Sequence, residues 1–548
     1  MLVVTTAEMR ELDRLTIEVH GTPGHVLMER AGVGATEVFW DAFPGVRTHP
    51  VVVAGKGNNG GDGFVIARQL RRRGVPCDVV LLARAGEVQG DAGRNLRAFV
   101  RARGRVIEAP GADAVKAVRD ALSRSRVIID AILGTGLNAA VRGPLAEVIA
   151  LINASGQPVF AVDMPSGLDG DSGRALGIAI QAETTATFGF PKVGQVLYPG
   201  ATHVGVLAVV DIGIAPEATA AVAPSTHLVD SITAGGLVPR RRPDAHKGDA
   251  GHLAVIAGGR GKCGAAVLAA EAGVRAGAGL TTLVVPEMER ASVAPRLREV
   301  MGSTLRDTGA GSFAAPTPGE LAEVLAGKSS VTVGPGIGVS PGTSSLVRML
   351  VSECTAPLIV DADGLNCLAD DVRVLRRRAG PTVLTPHPGE MSRLLKVSIA
   401  EVQENRLAAV RRLAVDSGAC VVLKGARTVI AAPEGGMAVN LGGNPGMASG
   451  GMGDVLAGII GALCAQGLGP MEAAEAGVHV HTMAADLAAE ALGGENGLTA
   501  SDVIGRLPAA LTQVRRAADG AANGAIDVQR DDGRRRRARR GRRTSSGR

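Results

Sequence analysis

Asp454 closes the run Gly443-Asn444-Pro445-Gly446-Met447-Ala448-Ser449-Gly450-Gly451-Met452-Gly453 and is followed by the apolar Val455-Leu456-Ala457-Gly458-Ile459-Ile460-Gly461-Ala462-Leu463. Glycine accepts backbone angles that other residues avoid, so such a run brings amides close to a ligand. The apolar stretch is helix-compatible, which puts the glycines at a helix N-terminus, where amides and dipole together favour phosphate. A carboxylate at the mouth of an anion site repels its ligand unless it has a proton to take. The chemistry implied is a base acting on a hydroxyl that attacks phosphorus. The plainer alternative is a surface loop whose Asp caps a helix.

A second set lies near the other end. The buried-strand pattern Val51-Val52-Val53-Ala54 exits through Lys56-Gly57-Asn58-Asn59-Gly60-Gly61-Asp62-Gly63. The amides of Asn58 and Asn59 and the carboxylate of Asp62 offer oxygen ligands beside backbone donors. That set suits a hard cation together with a phosphate or ribose, or else an ordinary polar turn. It is not the dinucleotide fingerprint, because GxGxxG is absent there. Two further strand patterns end in acids: Val127-Ile128-Ile129-Asp130, and Val159-Phe160-Ala161-Val162-Asp163 followed by Met164-Pro165-Ser166. In an open α/β sheet such residues meet where strands release their carboxyl ends.

The second half repeats the pattern. Leu253–Ala257 exits into Gly258-Gly259-Arg260-Gly261-Lys262-Cys263-Gly264-Ala265, and Ser330–Val333 into Gly334-Pro335-Gly336. Leu358-Ile359-Val360 ends in Asp361 and Asp363, Thr382–Thr385 in His387 and Glu390, and Cys420–Leu423 in Lys424-Gly425-Ala426-Arg427-Thr428. Lys424 is well placed to meet nucleotide phosphate. His246 and Lys247, before the Leu253 strand, are open between plain surface residues and ligand contacts.

The elements that must position these groups are strands alternating with helices, which predicts parallel sheets covered on both faces. Thr5 to Glu8 reads as a capping box, with Met9, Leu12, Thr16 and Val19 at helical spacing behind it. The 548 residues favour two large domains, and 46% hydrophobic content with 76 glycines suits α/β architecture with tight turns. Residues 215–243 are rich in Ala, Pro and Arg and mark the joint. The domains are therefore expected at 1–222 and 223–512, with an Arg-rich, disordered tail at 513–548. The formal charge of +6 is carried by the tail: residues 530–548 hold ten Arg against two Asp, a net +8, and residues 1–529 sum to −2. Like charges without apolar residues do not collapse, and the tail lacks aromatics for base stacking, so no specific nucleic-acid partner is expected. Six cysteines without CxxC spacing suggest reduced thiols of a cytoplasmic protein. No secretory signal and no stretch long enough to span a membrane is visible, so a soluble chain without a membrane partner is expected.

Taken together, Lys56–Gly63, Asp130-Ala131-Ile132-Leu133-Gly134-Thr135-Gly136 and Val162-Asp163-Met164-Pro165-Ser166-Gly167-Leu168-Asp169 resemble the NAD(P)H-hydrate epimerase domain, over about residues 5–215. Phe190-Pro191-Lys192 and the threonine-bearing segment Ala182–Phe188 belong to that resemblance. The order Gly-Asn-Pro-Gly-Met-Ala-Ser-Gly-Gly-Met-Gly-Asp, with the motifs from 244 to about 510, resembles the ADP-dependent NAD(P)H-hydrate dehydratases of the ribokinase-like superfamily. Met452 stands where those usually have Thr, removing a hydroxyl but keeping the amide.

The resemblance implies a Rossmann-like domain followed by a ribokinase-like one, each a doubly wound three-layer α/β domain. It implies potassium held by Asn59, Asp130 and Ser166. Hydrated nicotinamide nucleotide, NAD(P)HX, would lie against Asn58, Asn59, Gly60, Gly61, Asp62, Gly134, Thr135, Gly136, Leu137, Asn138, Ala139, Ala140 and Asp163, with Asp163 as acid/base. In the second domain the substrate would meet Ala265, Gly336, His387 and Asp454, with Asp454 as catalytic base. ADP would meet Lys424, Gly425, Ala426, Arg427, Thr428 and Gly453, with magnesium accompanying it. The expected activities are an isomerase that interconverts the R and S hydrates and a lyase that dehydrates the S form at the expense of ADP, in a homo-oligomer. The rival reading is a ribokinase-like small-molecule kinase with a non-catalytic front domain for binding.

Overall fold

In the computed structural model, which describes residues 1–44 and 49–543, with side chains through 522, the chain divides into two compact units, Met1–Thr226 and His227–Arg548.

The first unit is built on a parallel sheet. Its strands are β1 (Val51–Ala54), β2 (Asp78–Leu81), β3 (Arg105–Glu108), β4 (Ile128–Ala131), β5 (Val159–Val162), β6 (Thr184–Phe188) and β7 (Val206–Val210), in the spatial order β3-β2-β1-β4-β5-β6-β7. The order reverses between β1 and β4, which creates the crevice where doubly wound folds hold ligands. The expected glycine turn after β1 is instead the first turns of a helix, Asn58–Arg72. Packing explains the glycines. A Cβ on Gly60 would lie 2.0 Å from Gly55 O, one on Gly61 2.7 Å from Met28 Sδ, and one on Gly63 2.5 Å from Ala131 Cβ. The helix thus rests directly on the strand tops. The capping box of Thr5 and Glu8 is present at the helix Thr6–Arg14. A π-helical turn, Leu15–Val19, follows, closed by His20 N to Leu15 O. Its extra residue per turn rotates the expected apolar face, so Thr16 is buried while Val19 is exposed.

The second unit carries β8 (His252–Ile256), β9 (Leu280–Pro286), β10 (Met301–Leu305), β11 (Ser330–Val333), β12 (Leu358–Val360), β13 (Thr382–Leu384), β14 (Cys420–Leu423), β15 (Val429–Ala431) and β16 (Met437–Asn440). These run β16-β15-β14-β13-β12-β11-β8-β9-β10. They are parallel from β10 through β14, and β15 and β16 are antiparallel, departing from the expected all-parallel sheet. The helix Met452–Ala465 is apolar all round and buried except at Gly453 and Asp454. It is clamped by its glycines: a Cβ on Gly458 would stand 2.1 Å from Ala269 O, and one on Gly461 2.3 Å from Thr332 Oγ1. The last helix, Ala500–Arg543, runs past residue 513, and Val514 is buried, so chain packing continues into the segment expected to be a tail. The side chains of 523–543 and residues 544–548 lie outside the described residues. The six cysteines are unpaired thiols, five of them buried.

Candidate active sites

In the first unit, a cavity of about 870 Å³ opens over the carboxyl ends of β1, β4 and β5. Asn58, Asn59, Asp62, Gly134, Thr135, Gly136, Leu137 and Asp163 line it. Gly60 and Gly61 are buried in the helix beneath, and Asn138, Ala139 and Ala140 are exposed beyond its lining. Asp163 has left-handed backbone (φ 62°), a strain that non-glycine residues adopt where surroundings dictate it. Its Oδ1 accepts from Lys192 Nζ at 2.6 Å and from Thr187 Oγ1 at 3.3 Å, and its carbonyl accepts from Gln195 Nε2 at 2.6 Å. Lys192, 1% exposed, also donates to Thr187 Oγ1 and Phe188 O. Phe190-Pro191-Lys192 is visible in the sequence, but neither the role of Lys192 nor the presence of Asp13 at this cavity is. Burial pushes the Asp13 carboxyl up to about 6, with Lys192 opposing and Asp163 adding to the shift. Asp62 is raised well above the carboxylate range, by burial first and then by Asp163 and Asp13.

Beside that cluster, Asp130 is fully buried inside β4 rather than at its end. It accepts from the Ser166 hydroxyl at 2.6 Å and the Ser166 amide at 2.8 Å, and Leu133 N donates to Ser166 Oγ at 2.8 Å. Asn59 sits under Gly134, whose Cβ would come within 3.4 Å of Asn59 Oδ1. Both amide atoms of Asn59 are buried without a partner. A buried amide left so costs free energy unless something polar meets it. The oxygen-rich donor set of Asn59, Asp130 and Ser166 fits a hard cation such as potassium.

In the second unit, Gly451 takes a left-handed conformation (φ 90°) and starts the helix Met452–Ala465, so Gly453 and Asp454 face outward from its first turn. A Cβ on Gly453 would stand 3.2 Å from Lys424 Nζ and 3.8 Å from Asp361 Oδ2. Lys424 pairs with Asp361 at 2.6 Å and with Glu390 at 3.8 Å. Burial works against its charge, but Asp361 and Glu390 outweigh this and hold the ammonium above its ordinary value. Asp361 Oδ1 also accepts from Thr385 Oγ1 at 2.7 Å, while its Oδ2 is buried without a partner. Burial raises Asp454 to about 7, with Asp361 adding to the rise and Lys424 opposing it.

The expected substrate contacts gather on the same rim. A Cβ on Gly336 would be 3.3 Å from Ala265 Cβ, so these two residues are apposed. Lys262 reaches Asp363 at 3.1 Å, and Gly338 N donates to Asp363 at 2.9 Å. His387 caps its helix, donating its amide to Glu390 at 2.8 Å, and its imidazole is held below the ordinary value by burial and then by Lys424. Gly425 to Thr428 form the loop between β14 and β15, with Thr428 Oγ1 donating to Gly425 O at 3.0 Å and Arg427 to Leu441 O at 2.8 Å. His246 is exposed and pairs with Asp249, as a surface residue does. Asp361, Asp363 and Glu390 stand at strand ends in the sequence, which assigns none of them a role.

Two α/β units in tandem, each with a lysine–aspartate pair at the carboxyl edge of its sheet, define the class: a two-site enzyme built for nucleotide-like ligands. A family model described as NAD(P)H-hydrate dehydratase matches residues 253–508, and one described as the YjeF-related protein N-terminus matches 24–194. The bifunctional NAD(P)H-hydrate repair enzyme Nnr of Moorella thermoacetica is 42% identical over 93% of this chain and 96% of its own length. That of Escherichia coli is 37% identical over 91% and 92%. A solved ADP/ATP-dependent NAD(P)H-hydrate dehydratase from Bacillus subtilis, co-crystallised with ATP/Mg2+, is 28% identical and covers 52% of this chain and 98% of its own, with a TM-score of 0.45. The chain belongs to the family of bifunctional NAD(P)H-hydrate repair enzymes.

Proposed function

We propose that the first unit interconverts the R and S hydrates of NADH and NADPH, and that the second dehydrates the S hydrate at the expense of ADP, giving NAD(P)H, AMP and phosphate. The observation that carries this reading is the pairing, in one chain, of the Asp163–Lys192 cavity with the Asp454–Lys424 rim.

In the second unit the ring hydroxyl attacks the β-phosphorus of ADP and Asp454 accepts its proton. A carboxyl titrating near 7 is half ionised at neutral pH and so suited to that task. AMP leaves with the electron pair of the broken P–O bond. Lys424 and the amides of Gly451 to Gly453 take up charge on the phosphoryl oxygens, the main source of catalysis in phosphoryl transfer. Phosphate then departs with the C–O pair, the ring nitrogen supplies electrons, and a proton lost from the neighbouring carbon restores the double bond. Ala265, Gly336 and His387 orient the ring, and residues 424–428 with Gly453 hold the nucleotide. Asp361 Oδ2, buried and unpartnered beside Gly453, fits a role toward magnesium on the phosphates. In the first unit Asn59, Asp130 and Ser166 would hold potassium, whose positive charge would favour an anionic nucleotide. A cytoplasmic, homo-oligomeric enzyme is part of the same proposal.

The test is to incubate the chain with mixed hydrates and ADP or ATP, with and without potassium, and follow the reduced-nicotinamide absorbance. Full recovery with nucleotide is expected. No recovery overturns the dehydratase reading, and a halt once the S form is consumed overturns the epimerase reading.

A further inference from the structure

Resting on the epimerase reading, we propose that Asp62 is a catalytic acid of the first unit: it protonates the substrate hydroxyl, which departs as water, while Asp163 beside Lys192 accepts the proton of the water that returns. The hydrate carries its hydroxyl on the carbon next to the ring nitrogen. When the C–O bond breaks, its pair leaves with the protonated oxygen and the nitrogen lone pair forms a C=N bond. A water from solvent then adds to the other face, the C=N pair returns to nitrogen, and the surplus proton goes to Asp163. Exchange with solvent resets the two carboxyls. No oxidant, reductant or co-reactant beyond water is needed.

The geometry supports this division. Asp62 is 8% exposed, lines the cavity, and receives no hydrogen bond from any described residue. Asp163, by contrast, is engaged by Lys192 and Thr187. The two carboxyls reach the cavity from elements that follow β1 and β5, on either side of β4. The groups facing Asp62 are Asp163 and Asp13, which favour its protonated form, and Lys192, which opposes it. Asp91 lines the same cavity from the helix Gly90–Arg101, and the helix Gly24–Ala42 presents only Gly24, Leu27, Met28 and Ala31. Two carboxyls in one cavity, one without a hydrogen bond from a described residue and the other held by a lysine, are suited to divide the work of acid and base.

The test uses the full chain and purified R hydrate without ADP, with chromatographic separation of the epimers. In water enriched in oxygen-18, the wild-type S product is expected to carry the label, and its rate to fall on the alkaline side as Asp62 loses its proton. Asp62→Asn is expected to slow epimerisation about 10²- to 10⁴-fold and remove that alkaline limb. ADP-dependent loss of the S hydrate should be unchanged. Retention of the original oxygen by the wild type overturns the proposal without any variant. So does an Asp62→Asn rate within threefold of wild type, or transfer of the alkaline limb to Asp13→Asn. A wild type that does not epimerise at all overturns the functional reading of the first unit as well.

Discussion

At the scale of single residues, both sites set a lysine against an aspartate under low exposure, yet they use the pair differently. Lys424 is shared between Asp361 and Glu390, and Asp454 is the carboxyl proposed to move a proton. Asp454→Asn is therefore expected to cut ADP-dependent dehydration by about 10²- to 10⁴-fold while epimerisation continues, checked by separate assays of the two hydrates. With Asp454 raised to about 7 and the ionised form required, kcat should rise with pH through about 7 and level off above it. Lys192→Met leaves Asp163 buried without its cation, a change that typically costs about 3–5 kcal/mol. Urea unfolding should register that loss in the first unit, together with loss of epimerisation. Asp163, Asp454 and Lys424 were legible in the sequence because each ends a strand or glycine run. Lys192 and Asp13 were not, because each joins its site only through the fold: Lys192 from beyond β6, Asp13 from a helix ahead of the sheet.

At the scale of elements, the glycines divide into those that carry conformation and those that carry contact, and sequence alone does not separate them. Gly451 needs its left-handed backbone to start the helix Met452–Ala465. Gly60 and Gly63 are helical and serve close packing on β1 and β4, which is why the stretch read as a turn is a helix from Asn58. Gly60→Ala puts a methyl 2.0 Å from the backbone oxygen of Gly55. Overpacking of this kind costs about 1–3 kcal/mol, and here it also tilts Asn59 and Asp62. Denaturant titration and R-hydrate turnover should both fall. Gly57→Ala, with open space around it and φ of −89°, should stay within about 0.5 kcal/mol of wild type. The strand ends and their acids were readable from short β-branched runs. The antiparallel pair β15 and β16 was not, since a short apolar run does not state its direction.

At the scale of the whole molecule, the principal apolar cores of the two units are assembled from different stretches: one cluster spans Val229 to Val514, while the clusters around β1 to β7 draw on residues up to Val222. Charge is divided just as unevenly, with +8 in residues 530–548 and −2 in the rest. Among the described residues the last buried side chain of the final helix is Val514, so removal of 530–548 takes away none of the described packing. The truncated chain should therefore keep both rates within twofold, measured by the same two hydrate assays. What it should lose is salt-sensitive retention on a polyanionic column, because counterion release from a charged partner depends on the number of cations that engage it. A chain whose net charge changes from +6 to −2 has no comparable cluster left for that contact. Equal retention of both forms would assign the polyanion affinity to the folded units instead, and a large fall in either rate would assign the Arg-rich segment a part in catalysis.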